Sequence, residues 1–182
     1  MVKLPPNHPI HHPMNTPLID IDLGFHVNVA VYSLPTVADP RIRQAACWIA
    51  KEYGYRRLYA SIAIVDDSTI QQVNAQRLGH DWPTDVISFE LDVSDTSVEG
   101  EVIASVETAA RICAAAGWSV ADELLLYVVH GLLHVAGLND GDEEQRQEMR
   151  LAEQACLLGL GVEQAGQHIQ RFDVVCNGEA EW

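Results

Sequence analysis

The spacing of apolar positions changes along the chain, and each change marks an element. Residues 1–17 are rich in proline and histidine, hold few core-forming side chains, and read as a flexible arm. The β-branched run 27–32 predicts a strand. Asp39-Pro40 then reads as an N-cap acid with proline at the first helical position. The helix that follows would bury Ile42, Ala45, Ala46 and Ile49 and stop at Gly54. Leu58, Ala60, Ile62 and Ile64 alternate with other residues and predict a strand over 58–65. Asp66-Asp67-Ser68 turns the chain into a short helix carrying Ile70, Val73 and Asn74, and a polar loop over 79–83 leads to a strand at 85–91.

The acidic stretch 92–99 reads as a surface loop, with a strand at 100–106 after it. Residues 107–116 are alanine-rich and helical, ending at Gly117. Ser119 and Asp122 have the spacing of a capping box before a helix over 120–136, apolar on most sides and so expected at the centre of the fold. Gly137 ends it. A last helix over 142–158 would turn Met149, Ala152, Ala155 and Cys156 inward, while Glu143, Glu144 and Glu148 form a solvated face that suits its N-terminal dipole. Residues after Gly161 read as polar and loose. With no internal repeat, the expectation is one domain over 18–162, an arm over 1–17 and a polar tail over 163–182.

Composition narrows the function. The 182 residues carry 11 Lys+Arg against 26 Asp+Glu, a net charge of −15. No basic stripe exists to grip duplex nucleic acid by bulk charge, so any nucleic-acid contact must be local or assisted by a cation. Cys47, Cys113, Cys156 and Cys176 form no C-x-x-C pair, which speaks against a cysteine zinc knuckle and for buried or idle thiols in a reducing cytosol. The N-terminal stretch lacks the apolar core of a signal peptide, and the apolar run 124–129 stops at His130, well short of a membrane span. A cytoplasmic protein with no membrane partner is expected. His8, His11 and His12 could bind metal loosely, but scattered histidines in such an arm are usually incidental.

The chemistry concentrates in His130-Gly131-Leu132-Leu133-His134-Val135-Ala136-Gly137-Leu138-Asn139-Asp140. The i,i+4 spacing on a helix puts both imidazoles on one face, one turn apart. Gly137 lets the backbone leave the helix in a left-handed turn, so Asp140 can swing back toward the same point. Two imidazoles and a carboxylate suit zinc, and three protein ligands leave one position open, the catalytic arrangement. Two unrelated histidines would also give H-x-x-x-H; two ionisable rings in the most apolar helix argue for the shared site. Zinc peptidases carry a glutamate directly after the first histidine as general base, and Gly131 stands there.

With these residues in view the sequence resembles the YbeY family of bacterial endoribonucleases, the rRNA maturation factors. The resemblance rests on His130-Gly131-x-Leu133-His134-x-x-Gly137 with a ligand at 140. It rests also on Asn74 followed by His80-Asp81-Trp82-Pro83-Thr84-Asp85-Val86-Ile87-Ser88-Phe89, and on Gly100-Glu101-Val102-Ile103, with Met149, Glu153 and Leu158-Gly159-Leu160 in the last helix. It spans roughly residues 27–160. It implies an α+β fold: a mixed sheet of about four strands with surrounding helices and a zincin-like central metal-binding helix. It implies one Zn²⁺ per chain on His130, His134 and Asp140. It also implies cleavage of single-stranded RNA in 16S rRNA 3′-end maturation and ribosome quality control, with small-subunit ribosomal proteins offering a docking surface.

Two positions depart from the family pattern. The third ligand is Asp140 where the family has histidine; aspartate is a competent zinc ligand, and its charge should make a bound water less acidic than in a three-histidine site. The family's substrate-contacting arginine falls on Leu78, with Arg77 one residue early and turned about 100 degrees around the helix. Arg77 then either reaches the cleft or is a solvated helix residue. Residues 84–89 are either an ordinary edge strand or a cleft wall in which Thr84 and Asp85 orient the metal helix or the substrate and Ser88 lines the floor. His80 and Asp81 read as surface. Arg77 and Asp85 are accordingly the catalytic candidates. Two rival functions stay open: a noncatalytic ribosome-assembly factor stiffened by its metal, and a zinc peptidase.

Overall fold

The chain enters its sheet earlier than the β-branched run at 27–32 predicts. The structure, a computed structural model, describes residues 16–32 and 40–167. Strand β1 is Leu18–Phe25, in which Ile19, Ile21, Leu23 and Phe25 alternate with Asp20, Asp22 and Gly24. Val29–Tyr32, expected as strand, is a 3-10 turn. Alternation that matches a half-buried edge outweighs β-branching, because strand preference reflects the fit of side chains to a pleated surface.

Helix α1, Pro40–Glu52, buries Ile42, Ala45, Ala46, Ile49 and Ala50, as its pattern predicts. The proposed cap Asp39 lies outside the described residues, as do His8, His11, His12 and Cys176. Strand β2 is Arg57–Val65. Asp66 caps helix α2, Asp67–Leu78, by accepting a hydrogen bond from the Thr69 amide at 2.7 Å. Strands β3, Val86–Val93, and β4, Ser97–Ser105, form a hairpin. The acidic stretch 92–99 is therefore mostly strand and not loop. Asp92 pairs with Glu99 and Val93 with Val98 across a short turn, in which the Ser94 amide donates to the Ser97 carbonyl at 2.8 Å. Exposed acids on a solvated sheet face hide the strand from a reading based on composition.

Helices α3, Val106–Ala116, α4, Val120–Val135, and α5, Glu143–Gly159, complete the domain. The sheet order is β1-β2-β4-β3; β1, β2 and β4 run parallel and β3 is an antiparallel edge. The fold is thus α+β with a mixed four-stranded sheet. On the inner face Leu58, Ala60, Ile62 and Ile64 of β2 and Val98, Val102 and Ala104 of β4 join one large core with α1, α3, α4 and α5. On the outer face Val65, Ile70, Ile87 and Ile103 form a second, smaller core under α2.

Helix α4 lies unusually close to the sheet. A Cβ on Gly131 would stand 2.7 Å from a Val102 methyl, and one on Gly100 would stand 2.5 Å from Val135 and 2.8 Å from the Phe89 carbonyl oxygen. Each glycine clears room for a valine from the facing element, which fixes the depth and register of α4 on β4. That accounts for Gly131 where a peptidase carries glutamate: the position faces the sheet and has no room for a side chain. The apolar length of α4 serves burial, and among the described residues no single helix is long and apolar enough to cross a membrane.

Helix α5 differs from its expectation at Ala155. Ala155 faces solvent, and Glu153 is buried beside Met149, Cys156 and Leu157. Nor is the chain loose after Gly161. Val162 and Ala165 are buried, Glu163–Gln167 forms a 3-10 turn, and the Gln154 amide nitrogen donates to the carbonyls of Ala165 and Gly166, both at 3.0 Å.

Candidate metal centre

His130 and His134 occupy the last turns of α4, with buried Gly131, Leu132 and Leu133 between them holding that stretch against the core. Their rings meet nearly edge to face, with centroids 4.5 Å apart, and their Nε2 atoms are 3.0 Å apart. The helix closes with the Leu138 amide donating to the Leu133 carbonyl at 3.0 Å around Gly137, whose φ of 98° disfavours any side chain. This turn brings Asp140 back over the helix end. Its Oδ2 lies 3.9 Å from His130 Nε2 and 3.8 Å from His134 Nε2, and one ligand atom from each of the three residues falls within 4.8 Å of the others. Arg146 donates to the Asp140 carbonyl at 3.3 Å, and the Asp142–Gln145 capping box starts α5 directly after it.

The other side of each ring is committed. His130 Nδ1 bonds Glu153 Oε1 at 2.6 Å and His134 Nδ1 bonds the Leu138 carbonyl at 2.9 Å. A carboxylate and a carbonyl only accept, so both Nδ1 atoms donate, and a neutral ring then presents its Nε2 lone pair. The two Nε2 atoms, 3.0 Å apart, and a carboxylate oxygen of Asp140 then converge on one point. With both rings neutral, this donor set fits a divalent metal. Ligands about 2.0–2.1 Å from one ion in tetrahedral geometry lie about 3.3 Å apart, close to the separations seen. Glu153 and the Leu138 carbonyl are the outer partners such a site requires to orient its imidazoles.

The two rings differ in their electrostatics. Burial pulls the His130 pKa down, but the hydrogen bond and charge of Glu153, with Asp85 and Asp140 behind it, outweigh burial and hold it above its ordinary value. His134 is pushed below its ordinary value by burial and by the charge of His130, against the pull of Leu138, Asp140 and Glu153. The two rings therefore do not both charge together. Among the described residues no thiol joins this cluster: Cys113 and Cys156 are buried, and burial pushes Cys156 up to about 12.

The remaining predicted residues are placed less tightly. Asp85 sits at the mouth of β3, within electrostatic reach of His130; its carboxylate accepts from the Thr84 hydroxyl at 2.9 Å and the Val86 amide at 2.8 Å. Ser88 is half-buried and pairs with Val102, which places it on the sheet face toward α4. Arg77 is exposed in the last turn of α2, and Leu78 beside it is 51% exposed. Glu153, quoted above only as part of a resemblance, is the residue that composition conceals. Its one signal is position, since 149, 153, 156 and 157 trace a single buried stripe of α5.

Fold and site together define an α+β domain with a candidate metal centre open on one side. Residues 38–161 match the family model described as Endoribonuclease YbeY, and the chain belongs to that family, a group of hydrolases acting on RNA phosphodiester bonds. The chain is 43% identical over 128 residues to an Endoribonuclease YbeY of Rhodopirellula baltica, a match spanning 69% of this chain and 66% of that protein. It is 40% identical over 123 residues to one of Carboxydothermus hydrogenoformans, spanning 67% of this chain and 85% of that protein. The solution structure of TM1509 from Thermotoga maritima shares the fold, with a TM-score of 0.53 at 21% identity, covering 91% of this chain and 99% of that one.

Proposed function

We propose that this chain is a zinc-dependent, single-strand-specific endoribonuclease of the cytoplasm, acting in 16S rRNA 3′-end maturation and ribosome quality control. The observation that carries the reading is the convergence of His130 Nε2, His134 Nε2 and Asp140 Oδ2 with both Nδ1 atoms engaged elsewhere. One Zn²⁺ held there would supply Lewis acidity toward a phosphodiester, together with local positive charge that an acidic chain otherwise lacks. Glu153 keeps His130 in the ligating tautomer. Asp85, beside the centre, orients substrate or the metal helix, and Arg77 offers a guanidinium to the RNA backbone from the end of α2. Gly131 leaves α4 without a base of its own, so the proton is taken by a phosphate oxygen or a residue outside this helix. That disfavours peptide hydrolysis. Small-subunit ribosomal proteins would supply docking that bulk charge does not.

Metal content and cleavage of a short unpaired RNA, wild type against Asp140→Ala, test this. The expected result is one zinc per chain and cleavage in the wild type, with weaker zinc retention and sharply reduced cleavage in the variant. A wild-type protein without stoichiometric metal, or one that carries metal and leaves the RNA intact, overturns it.

A further inference from the structure

The loop over residues 79–85 carries a feature that neither the metal centre nor the fold uses. The rings of His80 and Trp82 stack almost in parallel, with centroids 4.6 Å apart and planes 11° from each other. Both residues are exposed, and Trp82 remains 56% so with one neighbour on its ring. A large aromatic side chain is usually drawn into the core, and this one is held away from it. The loop is not slack. Buried Asn74 on α2 donates to the Trp82 carbonyl at 2.8 Å and accepts at its own carbonyl from the His80 amide at 3.3 Å. Gln71 bonds the Asp81 carboxylate at 2.9 Å. The helix thus fixes the loop backbone on both sides of the stack while the rings stand in solvent.

Position gives the stack a use. Three residues on is Asp85, whose charge is felt at His130. Three residues of extended chain span about 11 Å at most, so the backbone of Trp82 lies within that reach of Asp85 at the mouth of β3. At a net charge of −15 the chain cannot hold a polyanion by bulk electrostatics. Stacking on a base is the alternative source of affinity, since every base has a flat face, and a base still paired in a duplex cannot offer it.

We infer that the Trp82–His80 stack is a platform for one unpaired RNA base next to the metal centre, and that it contributes to the choice of single-stranded over paired substrate. This deepens the endoribonuclease reading and rests on it. The test is steady-state cleavage of a short unpaired oligoribonucleotide and of the same sequence in a hairpin stem, by the zinc-loaded full chain. Trp82→Ala should raise KM for the unpaired substrate roughly 5- to 150-fold, with the smaller change in kcat, and narrow the preference for it over the stem. Trp82→Phe should keep most of the wild-type KM. An abasic site walked along the substrate should be costly at one position for the wild type and cost nothing extra there for Trp82→Ala. Both variants should keep the wild-type metal content and melting temperature, because the side chain is exposed. If Trp82→Ala cleaves with wild-type KM, or if Trp82→Phe fails as badly as Trp82→Ala, the platform is overturned and the endoribonuclease reading stands. If the wild type itself cleaves no unpaired RNA, both fall.

Discussion

The two faces of the sheet are built on different scales. The inner face holds the large core, and the metal helix α4 is locked onto it by two glycine–valine interlocks. The outer face holds a small core under α2, and α2 is tied to α3 mainly by polar contacts around Asp67. The candidate ligands on α4 thus grow from the part of the molecule that has most to lose by moving. Arg77 and the Trp82 loop, whose backbone α2 holds, belong to the part with the smaller core. Metal geometry needs a rigid support, whereas contact with a flexible single strand does not.

The comparison can be broken hardest at Gly131. Gly131→Glu would drive a charged side chain into Val102 and Val86, and it should cost more than about 3 kcal/mol, read as a collapse of the urea midpoint. Retained stability would mean that α4 is not locked as described. Next is Glu153→Ala, which leaves His130 Nδ1 without its acceptor. Zinc affinity should fall about 10- to 100-fold by competition with a chelator, while Glu153→Gln, which can still accept, should lose less.

On the outer face, Asp67 accepts from Ser105, Thr108 and Arg111, and Ser105 and Thr108 are buried. Asp67→Ala should cost about 1–3 kcal/mol by chemical unfolding yet leave zinc affinity unchanged. Burial pushes this carboxyl up, but the three donors outweigh it and hold it below its ordinary value of 3.8. A lowered folded-state pKa gives stability that is present above the ordinary value and fades as pH falls through the folded one. Wild type should therefore lose stability below about pH 4 more steeply than Asp67→Asn. The smallest effect on stability belongs to Leu78→Arg, exposed at the end of α2, which should change stability by less than about 0.5 kcal/mol. It should nonetheless lower KM for unpaired RNA by restoring a guanidinium at the family's position. An unchanged KM would remove the end of α2 from the substrate path.

How legible all this is in the sequence follows the same division. Where burial is apolar, one-sided in α1 and β2 and nearly all round in α4, spacing alone places the elements, and the imidazole pair with Asp140 can be picked out because ionisable rings in an apolar helix are out of place. Where acids sit on a sheet face, composition misleads: Asp20 and Asp22 mask β1, and Asp92 and Glu99 mask the ends of the hairpin. In α5 Ala155 faces solvent against its expectation, and Glu153 is buried because its carboxylate bonds His130, a tertiary contact that residue type does not reveal. Arg77 shows the limit on the substrate side: its number places it on α2, but reach toward RNA depends on a surface the sequence does not specify.

The central claim is that His130, His134 and Asp140 share one cation. X-ray absorption at the zinc edge on the zinc-loaded chain, wild type beside Asp140→Ala, tests it most directly. The account predicts two imidazole nitrogens at about 2.0–2.1 Å and oxygen at about 2.0–2.2 Å in the wild type, with both imidazoles kept and the oxygen shell altered in the variant. A zinc shell holding one imidazole or none, or spectra that the substitution leaves unchanged, would contradict it.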